Sequence, residues 1–263
     1  MKLNKGLDEV INGLLGKMID MDKYGLTTFS LKVIAVLSML IDHIGLFFLR
    51  DYEEIYWICR AIGRLSFPLF CFILVEGYFH TKNRMEYAIR LGVFAFISEI
   101  PYNLMYGRLI YLEKQNVMFT LFIGFMVIWA LDLIIGYAVK YPKIILDKIG
   151  MNLMNIILET VVIVLGLAMA GFLETTYSYP GVMLIIAFFV LRKNWLGQVA
   201  VNGIFNIAMF DLNVQWVGVF SLLPMALYNG KPGCRKGKYF FYWFYPVHLV
   251  VLITIRIILN YTK

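Results

Sequence analysis

An all-α polytopic membrane protein is the fold class this chain predicts, on three observations: its composition, the length of its apolar runs and the placement of its basic residues. Of 263 residues, 61% are hydrophobic and only 16% charged, with a mean hydropathy of +0.75. A soluble domain of this length buries a large core, but it does not have the polar surface to solvate so much apolar side chain. The net charge of +7 is compatible with a nucleic-acid partner, yet the loop topology below accounts for it and no nucleic acid is expected. Cys59, Cys71 and Cys234 are scattered, so neither a disulfide framework nor a metal cluster is predicted.

Residues 1–29 read as a separate cytoplasmic element. Leu3, Leu7, Val10, Ile11, Leu14, Met18 and Ile19 recur at helical spacing with Lys, Asp and Glu between them. That is the pattern of an amphipathic helix lying in the membrane interface. Residues 30–263 form the transmembrane helical domain. Its first run, from Leu31, is as long as a full span and others follow it, so it is expected to anchor rather than to be cleaved. About 20 apolar residues cross a bilayer. On that rule about nine spans are predicted, near 31–49, 56–79, 86–106, 117–139, 152–172, 180–191, 196–210, 214–229 and 240–260. The sixth to eighth are short, and Gly197, Gln198, Asn202, Gly203 and Asn206 there suggest close packing or a cavity wall.

Basic residues set the orientation. Most of the 24 fall in alternate loops: Lys2, Lys5, Lys17, Lys23 and Lys32; Lys82, Arg84 and Arg90; Lys140, Lys143 and Lys148; Arg192 and Lys193; Lys231, Arg235, Lys236 and Lys238. The opposite loops hold Arg50 beside Asp51, Glu53 and Glu54, then Arg108, Lys114, Glu174 and Asp211. A plasma-membrane protein with its N-terminus in the cytoplasm and its C-terminus outside is predicted.

Ionisable groups inside these spans are the candidate functional residues, because each costs about 3 kcal/mol to insert and faces a protein interior or watery cavity. Asp42 and His43 lie deep in the first run, Arg60, Arg64 and Glu76 in the second, Glu99 in the third, and His248 with Arg256 in the last. At 1.5 Å per residue, His43 lies roughly 15–18 Å from the cytoplasmic start of its span, and His248 roughly 12–15 Å. Two imidazoles on different helices thus share a depth. Glu99 and Asn103 share a face in the outer half of the third span. Arg60 and Arg64 share one in the second. Arg64 and Glu99, opposite in charge and alike in depth, are natural partners, whether as a helix staple or as part of a site. Glu76, His80 and Arg84 form an i, i+4 ladder at the cytoplasmic mouth. No HExxH or comparable metal-ligand spacing appears.

These residues also carry a family resemblance. Leu31–Gly45 (LKVIAVLSMLIDHIG), Ile62–Thr81 (IGRLSFPLFCFILVEGYFHT) and Arg90–Leu104 (RLGVFAFISEIPYNL), with FYPVHL from Phe244 to Leu249, resemble the TraX family, the F-pilin N-acetylase type. More distantly, they are similar to the transmembrane acyltransferases, in which a first-span His, here His43, is the proposed catalytic residue. The resemblance implies acetyl transfer from cytoplasmic acetyl-CoA to an amine or hydroxyl on the outer side, on a protein, peptide or glycan acceptor. A neutral imidazole at mid-depth is suited to act as general base, with a carboxylate to orient it: Asp42, Glu99 or Glu76. His248 joins the catalytic set by depth. Glu76, His80, Lys82, Arg84 and Arg90 fall where CoA phosphates would enter. Arg60, Arg64 and Asn103 fall on the acceptor side. The competing class is a transporter or flippase, which also places ionisable groups in the membrane.

Overall fold

The computed structural model describes residues 24–140, 148–209, 214–234, 237 and 239–261, and Thr27 opens the first long helix among them. Its hydroxyl accepts from the Ser30 amide at 3.2 Å, capping α1 (Thr28–Phe48). The entry to α1 is stitched to the segment before the last helix. Leu26 N–H donates to the Leu227 carbonyl at 2.7 Å, and Asn229 N–H donates back to the Leu26 carbonyl at 2.9 Å. The predicted amphipathic helix falls, up to residue 23, outside the described residues.

The helices that follow are α2 (Glu53–Gly63), α3 (Ser66–His80), α4 (Arg84–Leu104), α5 (Val117–Lys140), α6 (Lys148–Phe172), α7 (Ser178–Val190) and α8 (Trp195–Ile204). A π-helical turn, Phe205–Met209, extends α8. A 3₁₀ segment, Gln215–Ser221, then leads into α9 (Leu222–Ala226), and α10 (Phe240–Tyr261) closes the chain. No β-strand forms among the described residues, only two isolated bridges. The fold is all-helical.

Helix accounts for most of each of the nine predicted stretches, but among the described residues five helical segments are long and apolar enough to cross a membrane: Thr28–Phe48, Glu53–His80, Val117–Gly136, Leu153–Phe172 and Phe240–Leu259. Five candidate spans thus stand where about nine were expected. α4 has the length, but Arg84, Glu86, Arg90 and Glu99 lower its hydropathy. α7 and α8 are too short, and the eighth stretch is split between 3₁₀ and α geometry.

Five helices enclose the core. α1 packs on α3 and α10, α3 on α5, α5 on α4, and α4 on α10, closing a ring. α2 lies against α1, α7 fills the groove beside α3 and α5, and α6 packs outside α5 and α7. α6 exposes Leu153, Ile156, Ile157, Val161, Val164 and Leu165. An apolar face of that extent is unfavourable in water and natural against lipid. Gly63 sits where α2 meets α1, and any side chain there would overlap the Asp42 carboxylate.

Candidate active site

The ring brings the two deep imidazoles into contact. His43 Nδ1 and His248 Nε2 are 2.7 Å apart, with the rings nearly parallel. His248 Nδ1 lies 2.8 Å from the Phe244 carbonyl. A carbonyl only accepts, so His248 Nδ1 carries the proton. With both rings neutral, His248 Nε2 is then an acceptor and His43 Nδ1–H donates to it. One tautomer follows for the pair, and His43 Nε2 is left as a bare lone pair. Pro246, inside α10, has no N–H to give the Tyr242 carbonyl one turn back, so the helix is one ladder bond short in the turn before His248. His248 is 6% exposed and thus held by packing as well.

Asp42, one residue earlier on α1, faces two arginines instead. Its carboxylate accepts from Arg60 NH1 at 2.8 Å and from Arg64 NH2 at 3.0 and 3.1 Å. Arg64 spends its remaining donors on the Arg60 carbonyl, through Nε at 3.1 Å, and on Gln215 Oε1, through NH1 at 3.4 Å. Behind Gln215 runs a ladder of buried amides. Gln215 Nε2 donates to Asn206 Oδ1 at 2.9 Å, Asn206 Nδ2 to Asn202 Oδ1 at 3.0 Å, and Asn202 Nδ2 to Ser221 Oγ at 3.2 Å. Every carbonyl in this ladder points back toward Arg64, so its dipoles favour the guanidinium without a second acid. A side chain at Gly218 would overlap Asn206 Oδ1. The π turn and the 3₁₀ segment are what bring Asn206 and Gln215 together.

Three cavities sharing walls run the length of the ring. At the end holding the start of α1 and the ends of α3 and α4 that flank His80–Arg84, a cavity of about 290 Å³ is lined by Lys32, His80 and Arg90 among others. Lys32, Tyr87, Phe241 and Tyr242 are common to it and to a narrow apolar throat of about 80 Å³. Met39, Phe70, Val117 and Tyr245 are common to that throat and to an outer chamber of about 320 Å³. The chamber walls include Asp42, His43, Arg60, Arg64, Tyr177 and Gln215.

The remaining candidates are dispersed. Glu99 does not pair with Arg64, correcting that expectation. Its Oε2 accepts from Asn116 Nδ2 at 2.5 Å and from the Asn116 amide at 3.4 Å, at the start of α5. Asn103 Nδ2 donates to the Leu109 carbonyl at 3.3 Å. Neither Glu99 nor Glu76 reaches His43, whose ring partner is His248. Of the Glu76–His80–Arg84 ladder only the first rung forms. Glu76 lies 3.5 Å from His80 but accepts from Arg192 Nε at 2.6 Å and NH2 at 3.1 Å. Arg84 turns to Asp132 at 2.8 Å, over the Tyr78 ring. Lys82 is exposed and lines none of the three cavities. Arg90 pairs with Glu86, and its buried Nε has no partner among the described residues. Lys231 is described, whereas Arg235, Lys236 and Lys238 lie outside the described residues. No group of three His, Cys, Asp or Glu suited to a metal occurs among the described residues. Lys32, Tyr245, Arg192 and Gln215 are the site neighbours that sequence reasoning did not single out as such.

The family model described as TraX protein matches residues 28–256. The chain belongs to the TraX family. Among curated proteins, this TraX chain is 31% identical over 247 residues to the probable fimbrial assembly protein FimC, serogroup H1, of Dichelobacter nodosus, covering 89% of this chain and 97% of that one. It is 33% identical over 95 residues to the uncharacterized protein RP591 of Rickettsia prowazekii (strain Madrid E), covering 36% and 33%. No solved structure matches it. All the residues of the histidine pair, the Asp42 cluster and the three cavities fall inside the TraX match.

Proposed function

We propose that this TraX protein is an integral membrane acetyltransferase, multi-pass in the plasma membrane with its N-terminus cytoplasmic and its C-terminus outside. It moves acetyl from cytoplasmic acetyl-CoA to an amine or hydroxyl presented from outside. The observation that carries the reading is the free Nε2 of His43, fixed by the Phe244–His248–His43 chain at the wall of the outer chamber. The nucleotide phosphates of CoA sit at the inner mouth against Lys32, His80 and the unpartnered Nε of Arg90. The thin pantetheine arm follows the throat, and the thioester reaches His43.

In the reaction, the acceptor nitrogen or oxygen attacks the thioester carbonyl carbon while His43 Nε2 takes its proton. The carbon–sulfur bond breaks, and the departing CoA thiolate takes that proton back from the imidazolium. His248 Nε2 accepts the Nδ1 proton of His43 throughout and stabilises the charged ring. It is a positioning residue, in the place the sequence left to a carboxylate. The name of the Dichelobacter relative supports a protein acceptor of the fimbrial kind.

What supports the enzyme over the transporter reading is the tautomer-fixed His43–His248 pair on the chamber wall, an arrangement suited to proton abstraction. The test uses purified protein in lipid nanodiscs. Acetyl-CoA should raise the melting temperature and be turned over to free CoA, with His43→Ala retaining the first effect and losing the second. A protein that neither binds nor consumes acetyl-CoA is not this enzyme.

A further inference from the structure

The outer chamber is built with more positive charge than its own residues neutralise. Its walls hold Arg60, Arg64 and Lys114 against one carboxylate, Asp42. Both oxygens of that carboxylate are already engaged. The two arginines differ in how they are used. Every nitrogen of Arg64 is occupied, by Asp42, Gln215 or the Arg60 carbonyl. Arg60 spends only NH1 on Asp42, and among the described residues its Nε and NH2 have no protein partner. Those two nitrogens form the side edge of a guanidinium, whose parallel donors match a carboxylate or phosphate bidentately. Lys114 lines the same chamber from the loop before α5, is exposed, and makes no ion pair among the described residues. The amide ladder behind Arg64 explains how a second acid is avoided there. Its carbonyl dipoles steady Arg64 without cancelling the charge of the chamber.

We infer that the acceptor brings an anionic group, a carboxylate or phosphate close to its reacting amine or hydroxyl, onto the free edge of Arg60 and onto Lys114. This rests on the acetyltransferase reading for the word acceptor, but the site itself is an anion site whatever chemistry follows. A net positive chamber also favours the uncharged, nucleophilic form of an amine over its ammonium form, by like-charge repulsion.

The probe is inorganic phosphate, titrated against chloride at matched ionic strength while the melting temperature of the full chain in detergent is followed. Wild-type protein should be stabilised saturably. Arg60→Gln should lose the effect. Lys114→Gln, at an exposed position where folding is not in question, should weaken the apparent phosphate affinity about fivefold or more. With Arg90→Gln at the opposite mouth, or with saturating CoA filling it, a saturable phosphate response that depends on Arg60 should remain. Three results overturn the inference. The first is no saturable stabilisation of wild type. The second is a response abolished by CoA or by Arg90→Gln, which assigns the anion to the donor. The third is a response that needs Arg60 but is indifferent to Lys114, which makes Arg60 an oxyanion donor at the reacting carbon. None of these readings uses acetyl transfer, so a failed enzyme assay and a failed anion site are told apart.

Discussion

The two ends of the cavity series are built differently. Around the reacting centre of the outer chamber the groups are pinned: Asp42 by two arginines, Arg64 by Asp42 and Gln215, His43 by His248, while the free edge of Arg60 and Lys114 are left for the acceptor. At the inner mouth Lys32 and His80 sit on a rim, and Arg90 keeps an unpartnered Nε. The difference matches what each end is asked to do. A reacting centre gains from groups fixed before substrate arrives. A mouth that captures a flexible polyanion needs charge but little geometry. Pinning is costly at depth, which is why the outer half draws on so many helices.

The sharpest way to break this comparison is to remove the base. His43→Ala should lower acetyl transfer about 1,000-fold, measured as labelled acetyl incorporated into vesicle material, with the melting temperature near that of wild type. A variant keeping a tenth of the activity would take His43 out of the mechanism.

Next in size is the pinning charge. Asp42→Ala leaves the two arginines, side by side at the end of α2, without their counter-charge at the α1–α2 contact, and should cost about 3 kcal/mol of stability, read as a lower unfolding midpoint in detergent. Asp42→Ala combined with Arg64→Met should recover part of that loss. If both variants melt like wild type, the cluster is solvated and the outer chamber is no more fixed than the mouth.

A smaller effect is expected from the partner imidazole. His248→Gln keeps an acceptor for His43 Nδ1–H and should reduce kcat about tenfold with KM for acetyl-CoA unchanged, while His248→Ala should fall further. Equal kcat in His248→Ala and wild type would make the pair a packing contact. The smallest effect belongs to the inner mouth. Lys32→Gln with Arg90→Gln should raise KM for acetyl-CoA several-fold and leave kcat alone, more so at low salt where attraction is least screened. A change confined to kcat would contradict the division of labour between the ends.

Much of this was legible in the sequence. Run length located the helices and, by rise per residue, set His43 and His248 at one depth, where they do meet. Lys32 was visible too, although only as a topological charge. Which faces oppose each other was not legible, because helix rotation is decided by packing. Arg64 and Glu99 have matching depth and opposite sign, yet Gly63 lets α2 close on Asp42, and Glu99 turns to Asn116. The Arg64–Gln215–Asn206 chain was hidden for a different reason. It depends on a π turn and a 3₁₀ segment, neither of which follows the 3.6-residue period that sequence patterns report. The polar residues of that stretch were noticed, but their target was not.

The central claim is that donor and acceptor reach His43 from opposite faces of the membrane, and sealed vesicles of known orientation test it most directly. Acetyl-CoA labelled in its acetyl group is supplied on the cytoplasmic face or on the other, and labelled product is assigned to a face by protease or periodate access. Product on the outer face, formed only when acetyl-CoA is on the cytoplasmic one, is the predicted result. Product formed equally with acetyl-CoA on either face, or found on the face where acetyl-CoA was supplied, would contradict it.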